Sequence, residues 1–222
     1  MTPGGPLETD PRFWVLSEAL ASYAGDANDP LLLEGGYVQA SVALVLRAKD
    51  PLELLLIKRA TSERDPWSGH MALPGGRRDE SDADLLGTAK RETLEETGVD
   101  LEAEGRPLGR LEDVAPSSPR LPRLTISPFV FGVPAHVEAR VASREVERVC
   151  WVSVTDLRAP ETRSEVEIPL PGGPQSFPSF RVLGEHVWGL TYRILERFLA
   201  VYADGGTITP PIETWPGLGD TE

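Results

Sequence analysis

Apolar residues recur at spacings of three and four over residues 11–24 (PRFWVLSEALASYA), which predicts an amphipathic helix with Pro11 near its start. Residues 37–47 (YVQASVALVLR) and 52–59 are β-rich runs parted by Lys49, Asp50 and Pro51, so they predict a hairpin. A polar loop containing glycine follows from Thr61 to Arg78. A strong helix is expected over roughly residues 82–97, with Asp82 placed to cap it and Gly98 to stop it. Short strands fit 108–114, 125–133 and 147–154, while PSSPRLPR at 116–123 is too rich in proline for a ladder interior. Residues 160–185, with Pro-Gly-Gly-Pro at 171–174, read as irregular. A last helix over roughly 187–203 gathers Val187, Leu190, Ile194, Leu195, Phe198, Leu199 and Tyr202 on one face. Strands and helices mix without strict alternation and without internal repeats, which predicts an α/β or α+β chain with a mixed sheet between helices. The expected organisation is an N-terminal helical extension (1–30), a main domain (31–204) and a C-terminal tail (205–222) with the composition of a strap or flexible end.

At 222 residues, the chain has room for one large domain, and 40% hydrophobic with 26% charged residues is an ordinary globular balance. The net charge of −13 argues against a basic surface for nucleic acid or an anionic membrane. Lys49, Lys58 and Lys90 are the only lysines among 22 basic residues, so the cations are mostly arginine forks. Cys150, the single cysteine, excludes an internal disulfide or a cysteine-based zinc cluster, and it reads as a small buried hydrophobe. The start, MTPGGPLETDPRFW, has no secretory pattern, and runs such as VALVL are too short to span a bilayer. A cytoplasmic protein is expected.

The chemistry lies in residues 73–99, LPGGRRDESDADLLGTAKRETLEETGV, where Arg91, Glu92, Glu95, Glu96 and Gly98 stand in the order R-E-x-x-E-E-x-G. At helical pitch Glu92 and Glu96 point within ~40° of each other, and Glu95 lies ~60° from Glu92. Three carboxylates on one patch repel unless a cation compensates them. Leu85, Ala89 and Thr93 mark the apolar arc, and Glu92 and Glu96 overlap its edge, where carboxylates need a metal or a partner. Hard divalent cations suit such an all-oxygen set. Arg91, four residues before Glu95, is placed to hold its rotamer, and the Pro-Gly-Gly turn lets backbone approach a ligand.

This segment resembles the box of the Nudix hydrolases, G-x5-E-x7-R-E-U-x-E-E-x-G-U with U aliphatic. Gly76, Arg91, Glu92, Glu95, Glu96, Gly98 and Val99 match it. The spacing from Gly76 to Arg91 is one residue longer, Asp82 stands near the first Glu, and Thr93 replaces an aliphatic residue. The resemblance implies an α/β/α sandwich with a mixed β-sheet between helices, spanning residues 31–204, and Mg²⁺- or Mn²⁺-dependent hydrolysis of a nucleoside diphosphate derivative. It implies Glu92, Glu95 and Glu96 as metal ligands and, with Arg91, as the catalytic set. The longer box resembles the coenzyme A pyrophosphatase branch, whose members carry L-L-T-x-R-S-x3-R-x3-G-x3-F-P-G-G upstream. In LLIKRATSERDPWSGHMALPGG, Leu55, Leu56, Arg59, Arg64, Gly69, Pro74, Gly75 and Gly76 match, while Ile57, Ala60 and Leu73 depart and the Arg64-to-Gly69 spacing is one longer. WGLTYRIL at 188–195 is similar to the W-G-x-T-x-R segment of that branch. Resemblance to the branch implies a coenzyme A-like substrate, with coenzyme A or acyl-CoA split to 3′,5′-ADP and (acyl-)4′-phosphopantetheine. Hydrolysis of ADP-ribose, dinucleotides or nucleotide sugars, and a non-catalytic nucleotide-binding module, stay open beside it.

Arg59 and Arg64, with Gly75 and Gly76, are the expected substrate contacts, since guanidinium forks suit phosphate oxygens. Arg77 and Arg78 are weaker candidates of the same kind. His70, Trp67 and Phe177 fit either packing or ligand contact, and Glu145 and Glu147 stand where the family often places a further carboxylate. No nucleic-acid or membrane partner is expected, and monomer and homodimer are equally compatible with the sequence.

Overall fold

The run VALVL carries no polar alternation because both faces of its strand are covered, and that requirement organises the molecule. The computed structural model describes residues 10–23, 37–62, 67–116, 123–170 and 173–204. In order these form α1 (Pro11–Tyr23), β1 (Val38–Arg47), β2 (Glu53–Arg59), β3 (Met71–Ala72), β4 (Gly75–Arg77), α2 (Leu85–Thr97), β5 (Arg106–Arg110), β6 (Leu124–Val133), β7 (Val146–Ser153), α3 (Val154–Arg158), β8 (Arg163–Leu170), β9 (Gly173–Val182), β10 (Glu185–Trp188) and α4 (Gly189–Asp204).

A seven-stranded sheet runs β3-β2-β1-β6-β5, with β4 beside β1 and β7 beside β2. β1 and β6 are parallel in unbroken register from Val38↔Leu124 to Arg47↔Val133, while the other pairs are antiparallel, so the sheet is mixed. Alternate residues feed two cores. Leu44, Leu46, Leu54, Leu56 and Val130 join Phe13, Leu16 and Leu20 of α1 and Ile194, Leu195 and Phe198 of α4. Ala43, Val45, Leu55, Phe131 and Val133 face the opposite way and meet Ala89 of α2. The layers are therefore helices, sheet, helix, as expected. Close packing is visible at Gly132, where an added Cβ would meet the Phe13 ring at 2.7 Å.

One edge of β1 is shared. β4 takes it at Ala40–Val42, β2 takes it at Leu46–Arg47, and between them the Ala43 N–H donates to the Pro74 carbonyl at 2.9 Å. The sheet thus opens where the Leu73–Gly76 turn enters beneath α2.

Several sequence expectations shift. The helix starts at Leu85, three residues later than expected, because Asp84 caps it by accepting from the Gly87 N–H at 2.7 Å. Gly98 does end it, in the left-handed region at φ 69°. Only Arg106–Arg110 forms the strand expected at 108–114, with Val114 making an isolated bridge to Ile126. Residues 160–170 and 173–185 are not irregular, while Pro171 and Gly172 of the Pro-Gly-Gly-Pro stretch lie outside the described residues. The two stretches hold most of a second, antiparallel sheet in the order β10-β9-β8, turned at Leu183–Gly184, both of positive φ. The last helix begins at Gly189, since Val187 and Trp188 belong to β10. Residues 117–122 and the tail 205–222 lie outside the described residues. Among the described residues no helix is long and apolar enough to cross a membrane.

Candidate active site

α2 buries a face of small and hydroxylic residues, Thr88, Ala89, Thr93 and Thr97, together with Glu96. Two threonine hydroxyls are absorbed by the helix itself, Thr93 Oγ1 donating to the Ala89 carbonyl at 2.7 Å and Thr97 Oγ1 to the Thr93 carbonyl at 2.6 Å, while Thr88 Oγ1 donates to Asp82 Oδ2 at 2.9 Å. Thr93 therefore fills the aliphatic position of the box without an unsatisfied polar atom. A face this thin lets α2 approach β1 and β4 closely, which brings its glutamates onto the Gly75–Gly76 turn.

Glu96 is 4% exposed, and its carboxylate accepts the Gly75 N–H at 2.9 Å. Burial pushes its carboxyl up to about 8, against the pull of the Gly75 N–H, with the charges of Glu92 and Glu145 adding to the rise and Arg59 opposing it. Glu92 lies against Gly76, where an added Cβ would overlap its carboxylate. Burial raises this carboxyl too, with Arg91 countering. Two desolvated carboxylates one turn apart make a site that favours a cation.

Arg91 organises the rim. It meets Asp82 through Nε–Oδ1 and Nη2–Oδ2 contacts of 2.9 Å each, and it reaches Glu92 at 3.0 Å, Glu95 at 3.3 Å and the Arg77 carbonyl at 3.1 Å. Asp82 is consequently a partner of Arg91, not the helix cap that its position in the sequence suggests. The paired guanidinium holds its carboxyl well below the usual carboxylate range. Glu95 is the outlying member, its side chain 56% exposed beside Arg91.

Of the expected substrate contacts, Gly75 and Gly76 sit against the two glutamates, and Arg59 at the end of β2 acts electrostatically on Glu96. Arg64 lies outside the described residues. Arg78 bonds Gln39 and the Asp82 and Ala83 carbonyls, so it ties down the loop before α2. Glu145 and Glu147, alike in sequence, separate. Glu145 adds its charge to the Glu92–Glu96 pair, and its carbonyl accepts the Ala60 N–H at 2.7 Å, whereas Glu147 pairs with Lys58 at 3.1 Å. Cys150 is half-buried in β7, and burial raises its thiol.

The donor set fits a hard divalent ion in chemistry: carboxylate oxygens, two of them desolvated and mutually repelling. As placed, no three His, Cys, Asp or Glu side chains among the described residues are drawn into a ready metal cluster, and Glu95 remains with Arg91.

An uncharacterized protein of Schizosaccharomyces pombe is 40% identical over 118 residues, covering 52% of this chain and 36% of that protein, so the chain spans about a third of that relative's length. Among solved structures, a MutT/nudix family protein from Enterococcus faecalis is 17% identical over 90% of this chain and 73% of its own, with a TM-score of 0.49. An Ap4A hydrolase of C. elegans in a binary complex is 20% identical over 54% of this chain and 82% of its own, with a TM-score of 0.44. The NUDIX domain of Shewanella oneidensis NrtR, complexed with ADP ribose, is 21% identical over 60% and 82%, with a TM-score of 0.43. The NUDIX domain model itself matches residues 37–169, well over half of the chain and including every described member of the site, and the protein therefore belongs to the NUDIX family.

Proposed function

We propose that the protein is a divalent-metal-dependent Nudix diphosphatase that hydrolyses the diphosphate bond of a nucleoside diphosphate derivative. The observation that carries this reading is the buried Glu96, held by the Gly75 N–H beside Glu92 and Arg59, in a chain of the NUDIX family. Glu92, Glu95 and Glu96 would hold Mg²⁺ or Mn²⁺, and such ions supply charge neutralisation and a more acidic bound water. The chain's own groups do the rest. The Gly75 N–H fixes one Glu96 oxygen, Arg91 sets the Glu92 and Glu95 rotamers, and Arg59 offers a guanidinium fork to phosphate oxygens.

Coenzyme A or an acyl-CoA is the substrate we favour, cleaved to 3′,5′-ADP and (acyl-)4′-phosphopantetheine. Two of the three substituted positions in the upstream pattern fall in the core: Ile57 is fully buried and paired with Ala72, and Leu73 is buried in the larger core. Those substitutions alter packing and not a ligand contact, which leaves Ala60, part-exposed beside Glu145, and the longer Arg64-to-Gly69 spacing as the departures that bear on substrate. The test is turnover of coenzyme A, ADP-ribose, NADH and diadenosine polyphosphates with Mg²⁺ or Mn²⁺ and in EDTA. Hydrolysis of coenzyme A, abolished by EDTA, is expected. ADP-ribose cleavage with coenzyme A inert would reject the substrate, and turnover of nothing would reject the enzyme.

A further inference from the structure

We propose that His70, Trp188 and Phe177 form a stacking platform for the nucleobase of the substrate, beside the glutamates of α2; this rests on the diphosphatase reading above. The His70 and Trp188 rings lie with centroids 4.7 Å apart at 56°, and Trp188 and Phe177 lie 5.5 Å apart at 41°. All three are part-exposed. They come from distant stretches of chain. His70 precedes β3, Trp188 ends β10, and Phe177 lies in β9, on the same face because Trp188 is paired with Ser179, two residues along.

The platform is joined to the site through backbone. The His70 carbonyl accepts the N–H of Arg59 at 3.0 Å, and Arg59 is the residue whose charge acts on Glu96. It is also held in place. Glu185 of β10 meets Lys58 of β2 at 3.0 Å and Arg148 of β7 at 3.3 Å, which ties the second sheet to the main one within three residues of Trp188. Glu147 completes the network on Lys58, so Lys58 and Arg148 are already matched by Glu147 and Glu185 and are not spare cations for a further phosphate, and the rings favour a neutral, flat ligand. Aromatic faces receive any base, since every base has a π-face.

AMP, ribose 5-phosphate and pantetheine are the probes, followed by saturation-transfer NMR and calorimetry on the full chain. The adenine protons of AMP should be the most strongly saturated. Trp188→Leu and Phe177→Leu should each weaken AMP about tenfold while ribose 5-phosphate binds as before, and Trp188→Phe should restore most of the loss. Equal loss for both ligands, no loss for AMP, or displacement of the signal by pantetheine instead of AMP would overturn the platform. If AMP binds in this pattern while no diphosphate is hydrolysed, the platform stands and the diphosphatase reading falls.

Discussion

Glu96 shows why residue identity and environment must be read together. A glutamate buried against a glycine N–H gains one hydrogen bond and loses most of its hydration, and without a cation the charge is poorly compensated. Glu96→Gln keeps the shape and an acceptor for the Gly75 N–H but removes the charge. Turnover with Mg²⁺ should fall at least ~100-fold, with a melting temperature equal to or above that of the wild type. A wild-type rate would remove Glu96 from the metal site. Asp82 has the opposite character, its depressed carboxyl being stabilised as an anion by Arg91. The Asp82–Arg91 contribution is complete above the ordinary aspartate value of 3.8 and fades as pH falls through it towards the depressed native value. Asp82→Asn should therefore cost about 2 kcal/mol at pH 7, and urea titrations at pH 7 and pH 3 should show the gap shrinking at the lower pH. A gap that is constant with pH would mean the pair carries no linked proton.

Between residue and fold stands the turn at Gly75–Gly76, whose two glycines serve different elements. At Gly75, with φ 153°, a Cβ would overlap the Ser41 carbonyl, so alanine must push β4 off β1. Gly75→Ala should lower stability by about 2 kcal/mol or more. At Gly76 the obstacle is the Glu92 carboxylate, the mobile end of a side chain, so Gly76→Ala should fold nearly normally and lose at least ~10-fold in turnover as Glu92 is displaced. Thermal melts and rates measured side by side would separate the two, and a shared loss of stability would show the turn to be one structural unit. Elements of this kind differ in how visible they are from sequence. β1 and β2 are plain from their apolar runs, VALVL and LLLI, because both faces are buried, and β6 is buried along nearly its whole length although Thr125, Ser127, Pro128 and Gly132 interrupt its apolar residues. β8 alternates only between exposed and half-exposed, and β9 contains Pro174 and Pro178, so neither offers the apolar contrast that marks a strand. The start of α2 is hidden from sequence because Asp82 and Asp84 are equally good caps until the Arg91 ion pair claims one of them.

The whole molecule contains more than its family match. Residues 37–169 hold the glutamates, the glycine turn and Arg59, and the chemistry is readable there because four-residue spacing on a helix converges without help from distant chain. Spacing cannot show that one face of the sheet is closed by elements outside that stretch, by Phe13, Leu16 and Leu20 before it and Ile194, Leu195 and Phe198 after it. The approach of Glu145 and Arg59 to Glu96 depends on the same closure, since β2 and β7 lie between the two cores. Cutting the chain to 37–169 would strip the cover from Leu44, Leu46, Leu54 and Leu56 and leave a continuous apolar surface, far beyond what a soluble fragment tolerates. That fragment, despite an intact box, should bind a hydrophobic dye, melt without a sharp transition and hydrolyse nothing, while residues 10–204 should melt cooperatively and retain metal-dependent turnover. A cooperative melt of the fragment at the full chain's temperature would show that α1 and α4 decorate the fold, whereas its collapse would show that the glutamate-bearing helix α2 is held in place by two helices that carry none of the proposed site residues.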